Sequence, residues 1–172
     1  SNNNDLDILL NTLFPYFNKS NPLHTNMYPC VRKMEKECIA VMIQLFNGDK
    51  NTCGIFTSGG TESILMACKT YRDYSKKTKN ITKPEIIVSN SVHCAFTKAC
   101  SYFNIQMVII PCKEDGLYDL ELLEKSINNN TILIVGSTPS YNLGLIDQLN
   151  ELNKIALEKN IPLHLDACIG SF

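Results

Sequence analysis

The chain has 172 residues, 44% of them hydrophobic, and a formal net charge of -1, so it can bury one substantial core, and one domain is the default count. Basic and acidic residues are interspersed, leaving no electrostatic stripe to hold a nucleic-acid backbone; nucleic acid is excluded as an expected partner. No run reaches the roughly 18 apolar residues of a membrane span, and the polar start Ser1-Asn2-Asn3-Asn4-Asp5 is not a signal peptide.

Residues 5 to 18 form a short apolar-rich helix that Pro15 should kink or end, and Asn21-Pro22-Leu23-His24 then reads as an extended, turn-rich connection of an arm rather than a core. From 30 to 47 the apolar positions Val31, Met34, Cys38, Val41 and Leu45 recur in steps of three and four, with Gly48 as the stop. Short β-rich runs then alternate with amphipathic helices. Gly54-Ile55-Phe56-Thr57 is the first expected strand, followed by a helix with Ile64, Ala67, Cys68 and Tyr71 on one face and the strand Glu85-Ile86-Ile87-Val88. Next come a helix marked by Phe96, Ala99, Cys100 and Phe103, the strand Met107 to Ile110, and a helix capped by Asp119 bearing Leu120, Leu123 and Ile127. The strand Ile132 to Val135, a helix with Leu149, Leu152 and Ala156, and the strand Pro162 to Leu165 complete the alternation. Strands apolar on both faces and separated by helices predict an α/β architecture with a largely parallel sheet covered on both sides. The eight cysteines lie mostly inside apolar runs with no Cys-x-x-Cys pair, which points to a reducing compartment rather than a disulfide framework.

The segment Thr57-Ser58-Gly59-Gly60-Thr61-Glu62-Ser63 joins a strand signal to a helix start. It combines glycines for close approach, hydroxyls and helix-opening N–H groups, the parts of an anion site, although a tight turn with a Thr cap has the same composition. A Walker A loop is excluded, because no Gly-Lys-Ser/Thr follows. Glu62 suits a helix N-terminus yet would repel a phosphate, so its side chain should point away. His93, in Ser91-Val92-His93 past a strand end, can stack on a ligand ring or make a structural bond at its helix start. Thr138, in Ser137-Thr138-Pro139, can reach a ligand or cap its turn. In His164-Leu165-Asp166 the two-residue period puts His164 and Asp166 on one side of the sheet, where Asp166 can pair with a protonated ring nitrogen or cap local backbone. No third ligand accompanies that pair, so no metal is expected. All these polar motifs fall where a strand ends, and their conjunction favours a ligand pocket over coincidence.

Carried on these segments, and on Thr57 to Ala67, Ser91 to Ala99 and His164-Leu165-Asp166-Ala167-Cys168, the chain resembles the group II pyridoxal-phosphate-dependent decarboxylase superfamily. Within it the resemblance is to the branch of carbon-carbon lyases acting on phosphorylated sphingoid bases. The resemblance implies a fold-type I pyridoxal-phosphate transferase-like large domain, with 1–48 as N-terminal arm and helices and 49–172 as part of the cofactor-binding domain. It implies pyridoxal 5'-phosphate held through its phosphate by Gly60 and Thr61, His93 stacked on the ring, Asp166 on the pyridine nitrogen, Thr138 near the 3-hydroxyl and Cys168 under the opposite face. His93 and Asp166 would be catalytic, and His24 would help shape the substrate entrance.

The reaction so implied cleaves a phosphorylated sphingoid base to a long-chain aldehyde and phosphoethanolamine, in a homodimer facing the cytosol and, in eukaryotes, at the endoplasmic reticulum membrane through segments outside this chain. An amino-acid decarboxylase of the same superfamily is the alternative. The superfamily's cofactor-attaching lysine belongs to a His-Lys segment beyond Phe172, as does a small C-terminal domain. The chain by itself is therefore expected to be inactive, as an excised fragment or as a truncated non-catalytic chain. Asp147-Gln148 replaces the Asp-Pro common in the family and is expected to be a tolerated surface-turn change.

Overall fold

The computed structural model describes residues 4–21, 23–24 and 26–171. Pro22 of the expected arm segment and the terminal residues Ser1 and Phe172 lie outside them. The chain divides into two compact units, 1–56 and 57–172.

In the first unit, α1 (Asn4–Phe17) carries Pro15 inside its last turn and ends two residues later, and none of its residues is buried. The ring removes one intrahelical bond but comes too late to break the helix earlier. The helix α2 (Pro29–Leu45) opens on a proline, whose missing N–H costs nothing in a first turn. It closes with Asn47 at φ 54° and a bond from the Gly48 N–H to the Ile43 carbonyl at 2.7 Å. Gly54-Ile55-Phe56-Thr57 is not a strand. Among the described residues nothing pairs with it, and Ile55 and Phe56 are exposed; a β-prone run without a neighbour has no ladder to join.

The second unit runs α3 (Gly60–Lys79), β1 (Glu85–Ser89), α4 (Ala95–Phe103), β2 (Gln106–Ile110), α5 (Leu120–Ser126), β3 (Thr131–Ser137), α6 (Leu149–Glu158) and β4 (Leu163–Asp166). The four strands form one sheet in the order β2-β1-β3-β4, every pair parallel. Successive side chains of a strand point to opposite faces, and the core divides accordingly. Ile86, Val88, Leu133 and Val135 pack with Ile64 and Cys68 of α3 and with Phe96, Ala99 and Cys100 of α4. Ile87 and Ile134 pack on the other face with Leu123 of α5 and Leu152 and Ala156 of α6. The two central strands are thus covered on both faces, as their continuous apolar runs predict, and each fully buried Ile or Leu side chain contributes about 1.5–3 kcal/mol. The outer strands are less covered: Ile109 of β2 and Leu165 of β4 are exposed.

Helices α3, α4 and α6 end on asparagine, with Asn80 and Asn104 as caps and Asn160 just past the cap of α6, at φ 54°, 53° and 52°. The short amide side chain tolerates this left-handed conformation better than most residues, which gives part of the asparagine content a structural use.

Candidate functional site

From β1 the chain crosses to β2 on one side, then passes back over β1 to β3 on the other. The strand order therefore reverses between β1 and β3, and in open parallel sheets the crevice beyond the carboxyl ends at such a reversal is where ligands bind. The polar motifs lie at this edge. His93 follows β1, Thr138 follows β3 directly and Asp166 closes β4. The ends of β1 and β4 are two strand spacings, about 10 Å, apart, the span of a small ligand.

The opening of α3 faces the same edge. A Cβ built on Gly60 would lie 3.3 Å from the Sγ of Cys168, just past β4. Gly59 is the N-cap and offers no side chain; the Ser63 N–H donates to the Gly59 carbonyl, and among the described residues the N–H groups of Gly60, Thr61 and Glu62 have no acceptor. Three donors left free in this way at the positive end of a 20-residue helix could hold an anion such as a phosphate monoester. Glu62 turns back onto Ser58, the residue before the N-cap, its Oε2 accepting from both the Ser58 N–H and hydroxyl at 2.6 Å. The Ser58 hydroxyl, and then the Ser58 N–H, hold its carboxyl below the usual range. The sequence conflict between Glu62 and an anion is resolved by this bend. Thr57 and Ser63 share a hydrogen bond between hydroxyls at 2.7 Å that closes the turn.

At the end of β4, Ser137 pairs with Asp166 across the ladder, and the Thr138 N–H donates to the Asp166 carbonyl at 2.9 Å. The Asp166 Oδ1 accepts the Cys168 N–H at 3.3 Å, while its Oδ2 has no partner among the described residues. Gly170 closes on the same turn so tightly that a Cβ there would overlap the Thr138 carbonyl. His164 sits edge-on to Phe96 at 5.7 Å; burial pushes its imidazole below the ordinary value, partly offset by the negative charge of Asp166. A neutral imidazole suits this apolar seat. Among the described residues no three His, Cys, Asp or Glu side chains are grouped to hold a metal ion.

The half-buried His93 accepts the Ala95 N–H on Nδ1 at 3.1 Å, which leaves Nε2 to carry the proton of the neutral ring. This is the structural bond the sequence allowed, and it also fixes the ring, whose edge meets Tyr141 at 6.3 Å. The second unit thus brings Gly60, Cys168, Asp166 and Thr138 together, with His93 at the same sheet edge. His24 belongs to the first unit, exposed in a turn where its carbonyl accepts from the Met27 and Tyr28 N–H groups.

Asp147 is not on a surface turn. It is 4% exposed, its Oδ2 accepts the Ser137 N–H at 2.7 Å, and its own N–H donates to the Ser137 carbonyl at 3.1 Å. Burial pushes its carboxyl up, and the bond from Ser137 pulls it partly back. Gln148, at φ -71°, stands where a proline ring would also fit, and its Nε2 donates to the Tyr118 carbonyl at 3.2 Å. Tyr118 is itself fully buried, its hydroxyl donating to the Val135 carbonyl at 2.6 Å. An Asp beside a helix start reads in sequence as a cap for that helix; nothing local shows that its acceptor serves a strand end ten residues away.

The pyridoxal-dependent decarboxylase conserved domain matches residues 1–172. The chain belongs to this family. It is 44% identical over 164 residues to mouse sphingosine-1-phosphate lyase 1, covering 95% of this chain and 29% of the relative. It is 36% identical over 169 residues to a probable sphingosine-1-phosphate lyase of Legionella pneumophila, covering 98% of this chain and 28% of that one. The chain thus spans less than a third of the length of these relatives. Among solved structures, a sphingosine-1-phosphate lyase of Burkholderia pseudomallei superposes with a TM-score of 0.92 at 31% identity, over 98% of this chain and 40% of that one. A Lactobacillus brevis glutamate decarboxylase superposes at 0.80 with 22% identity, over 99% and 41%, a likeness of fold. The parallel sheet flanked by helices is that of the pyridoxal-phosphate-dependent decarboxylase and lyase domains.

Proposed function

We propose that this chain is part of a pyridoxal-phosphate-dependent carbon-carbon lyase that cleaves phosphorylated sphingoid bases to a long-chain aldehyde and phosphoethanolamine. The observation that carries the reading is the juxtaposition, at one sheet edge, of three N–H donors opening α3 with a carboxylate oxygen of Asp166, all without a partner among the described residues. A phosphate at one end and a protonated ring nitrogen at the other satisfy both. The 44% identity to the mouse lyase supports the substrate class.

In this reading Gly60 and Thr61 hold the cofactor phosphate, and the bend of Glu62 onto Ser58 keeps its carboxylate from competing. Asp166 keeps the ring nitrogen protonated through charge and a hydrogen bond. His93, held by Ala95, would cover one ring face, with Cys168 toward the other and Thr138 toward the 3-hydroxyl. When bound, the cofactor supplies the electron sink for carbon-carbon cleavage. His24 is assigned to the substrate entrance. Residues 1–48 are assigned to an arm with its helices and 49–172 to part of the cofactor domain, in a homodimer facing the cytosol, at the endoplasmic reticulum membrane if the source is a eukaryote and cytoplasmic otherwise. Among the described residues no helix is long and apolar enough to cross a membrane.

The test is an assay of the complete protein with dihydrosphingosine phosphate and with amino acids. Release of long-chain aldehyde supports the lyase; carbon dioxide from amino acids without aldehyde replaces it by a decarboxylase. Borohydride reduction with pyridoxal phosphate, followed by peptide mapping, should locate the modified lysine.

A further inference from the structure

We propose that Asp147 is a positioning residue, whose carboxylate fixes the loop 138–146 at the strand-end site by clamping its two ends together. The loop leaves β3 at Ser137 and returns at Asp147, and these two residues exchange a pair of bonds: Ser137 N–H to Asp147 Oδ2 at 2.7 Å and Asp147 N–H to Ser137 carbonyl at 3.1 Å. Both are buried, at 3% and 4% exposed. The Ser137 N–H therefore cannot turn to water if the carboxylate is removed, and an unpaired buried donor is costly.

What the clamp holds is the functional edge. The first loop residue, Thr138, is bonded to the Asp166 backbone, and Tyr141 further along brings its ring to His93. Within the loop the Ser140 N–H donates to the Leu145 carbonyl and the Gly144 N–H to the Ser140 carbonyl, at 2.8 and 2.9 Å, so the excursion is a closed unit whose placement depends on its base. One side of it rests closely on Gly116, where a Cβ would lie 2.6 Å from Cδ1 of Leu145. Behind the clamp, Gln148 and Tyr118 tie the start of α6 to the β3 backbone. A carboxylate oxygen of one length at position 147 thus sets where Thr138 stands.

The inference rests on the reading of this edge as the cofactor site, and its test separates the two. In the complete protein, Asp147→Asn, Asp147→Glu and Asp147→Ala are compared by hydrogen exchange of the loop amides Ser140 and Gly144 without cofactor, and by pyridoxal 5'-phosphate affinity. Asn keeps an acceptor at the same reach, Glu keeps the charge at the wrong reach, and Ala keeps neither. Asn should stay within about twofold of wild type in both measurements. Glu and Ala should speed loop exchange and weaken affinity at least about tenfold, because the buried Ser137 N–H is left without an acceptor at the right reach, while β3 core amides stay protected. Should Ala fail to fold, the Asn and Glu pair still decides. Glu matching wild type, or Asn failing as Glu does, overturns the positioning role. A wild type that does not retain pyridoxal phosphate overturns the cofactor reading, and this inference with it.

Discussion

Gly60→Val tests whether the opening of α3 and the end of β4 form one site. A Cβ at position 60 would already stand 3.3 Å from Cys168 Sγ, inside the 3.5–4.0 Å of comfortable carbon contacts, and valine adds two methyl groups beyond it. Valine and glycine differ by only a few tenths of a kcal/mol in helix propensity, so the change reports the contact. Overpacking of this kind costs about 1–3 kcal/mol. Cys168→Ala removes the sulfur, and the double variant should recover most of the loss, with a coupling of at least about 0.5 kcal/mol. Urea unfolding of the complete protein measures all four corners of the cycle. The same valine crowds the anion donors; losing one charge-assisted bond, worth about 1.5–3 kcal/mol, weakens pyridoxal phosphate binding about 10- to 150-fold. Additive single effects, with unchanged cofactor affinity, would refute the juxtaposition from which the site is built.

Asp166→Ala in the complete enzyme should nearly abolish turnover, since the ring nitrogen loses its charge partner; near-normal activity would remove Asp166 from the site. His93→Ala should weaken retention of the cofactor as well as the rate, and unchanged retention on dialysis would count against a stacked ring. The carboxyl of Glu62 is lowered in the fold by its bonds to Ser58. The unfolded chain therefore binds its proton more readily, and the stability Glu62 contributes is present above the ordinary glutamate range and lost as pH falls through it and below. Glu62→Gln should flatten that part of the pH–stability curve, and an unchanged acid limb would show that the bend is not maintained in solution. Burial pushes the thiol of Cys68 up to about 12 and that of Cys100 up to about 11, so at pH 8 neither should react with iodoacetamide until the protein unfolds. Peptide mapping that finds either one alkylated in the native protein would contradict the packing of α3 on α4.

Much of the second unit was legible because its signals are periodic. Ile86 to Val88 and Ile132 to Val135 are apolar without interruption since helices cover both faces, and Asp119 caps α5 through a bond to the Leu122 N–H, as its position implies. Thr138 and Asp166 were legible as polar residues at strand ends, and Gly60 and Thr61 as the opening of a helix. What the sequence hid is pairing across distance. The run Gly54 to Thr57 has strand composition but no partner among the described residues, and composition cannot supply one. Asp147 looks like any polar residue before a helix, and only the fold shows its carboxylate turned to Ser137. The bend of Glu62 onto Ser58 is local, yet only the fold shows the carboxylate reaching back past the N-cap Gly59.

The asparagines that close α3, α4 and α6 also bear on how this protein tolerates change. Each holds a left-handed conformation that glycine adopts at no steric cost, so exchanging Asn80, Asn104 or Asn160 for glycine relieves the folded state while loosening the unfolded chain, two effects of similar size and opposite sign. Asparagine at these three helix ends is therefore close to interchangeable with glycine, whereas a β-branched residue is not. Drift at these positions should run along that narrow corridor, and a homologue's choice between the two residues there would say little about its chemistry.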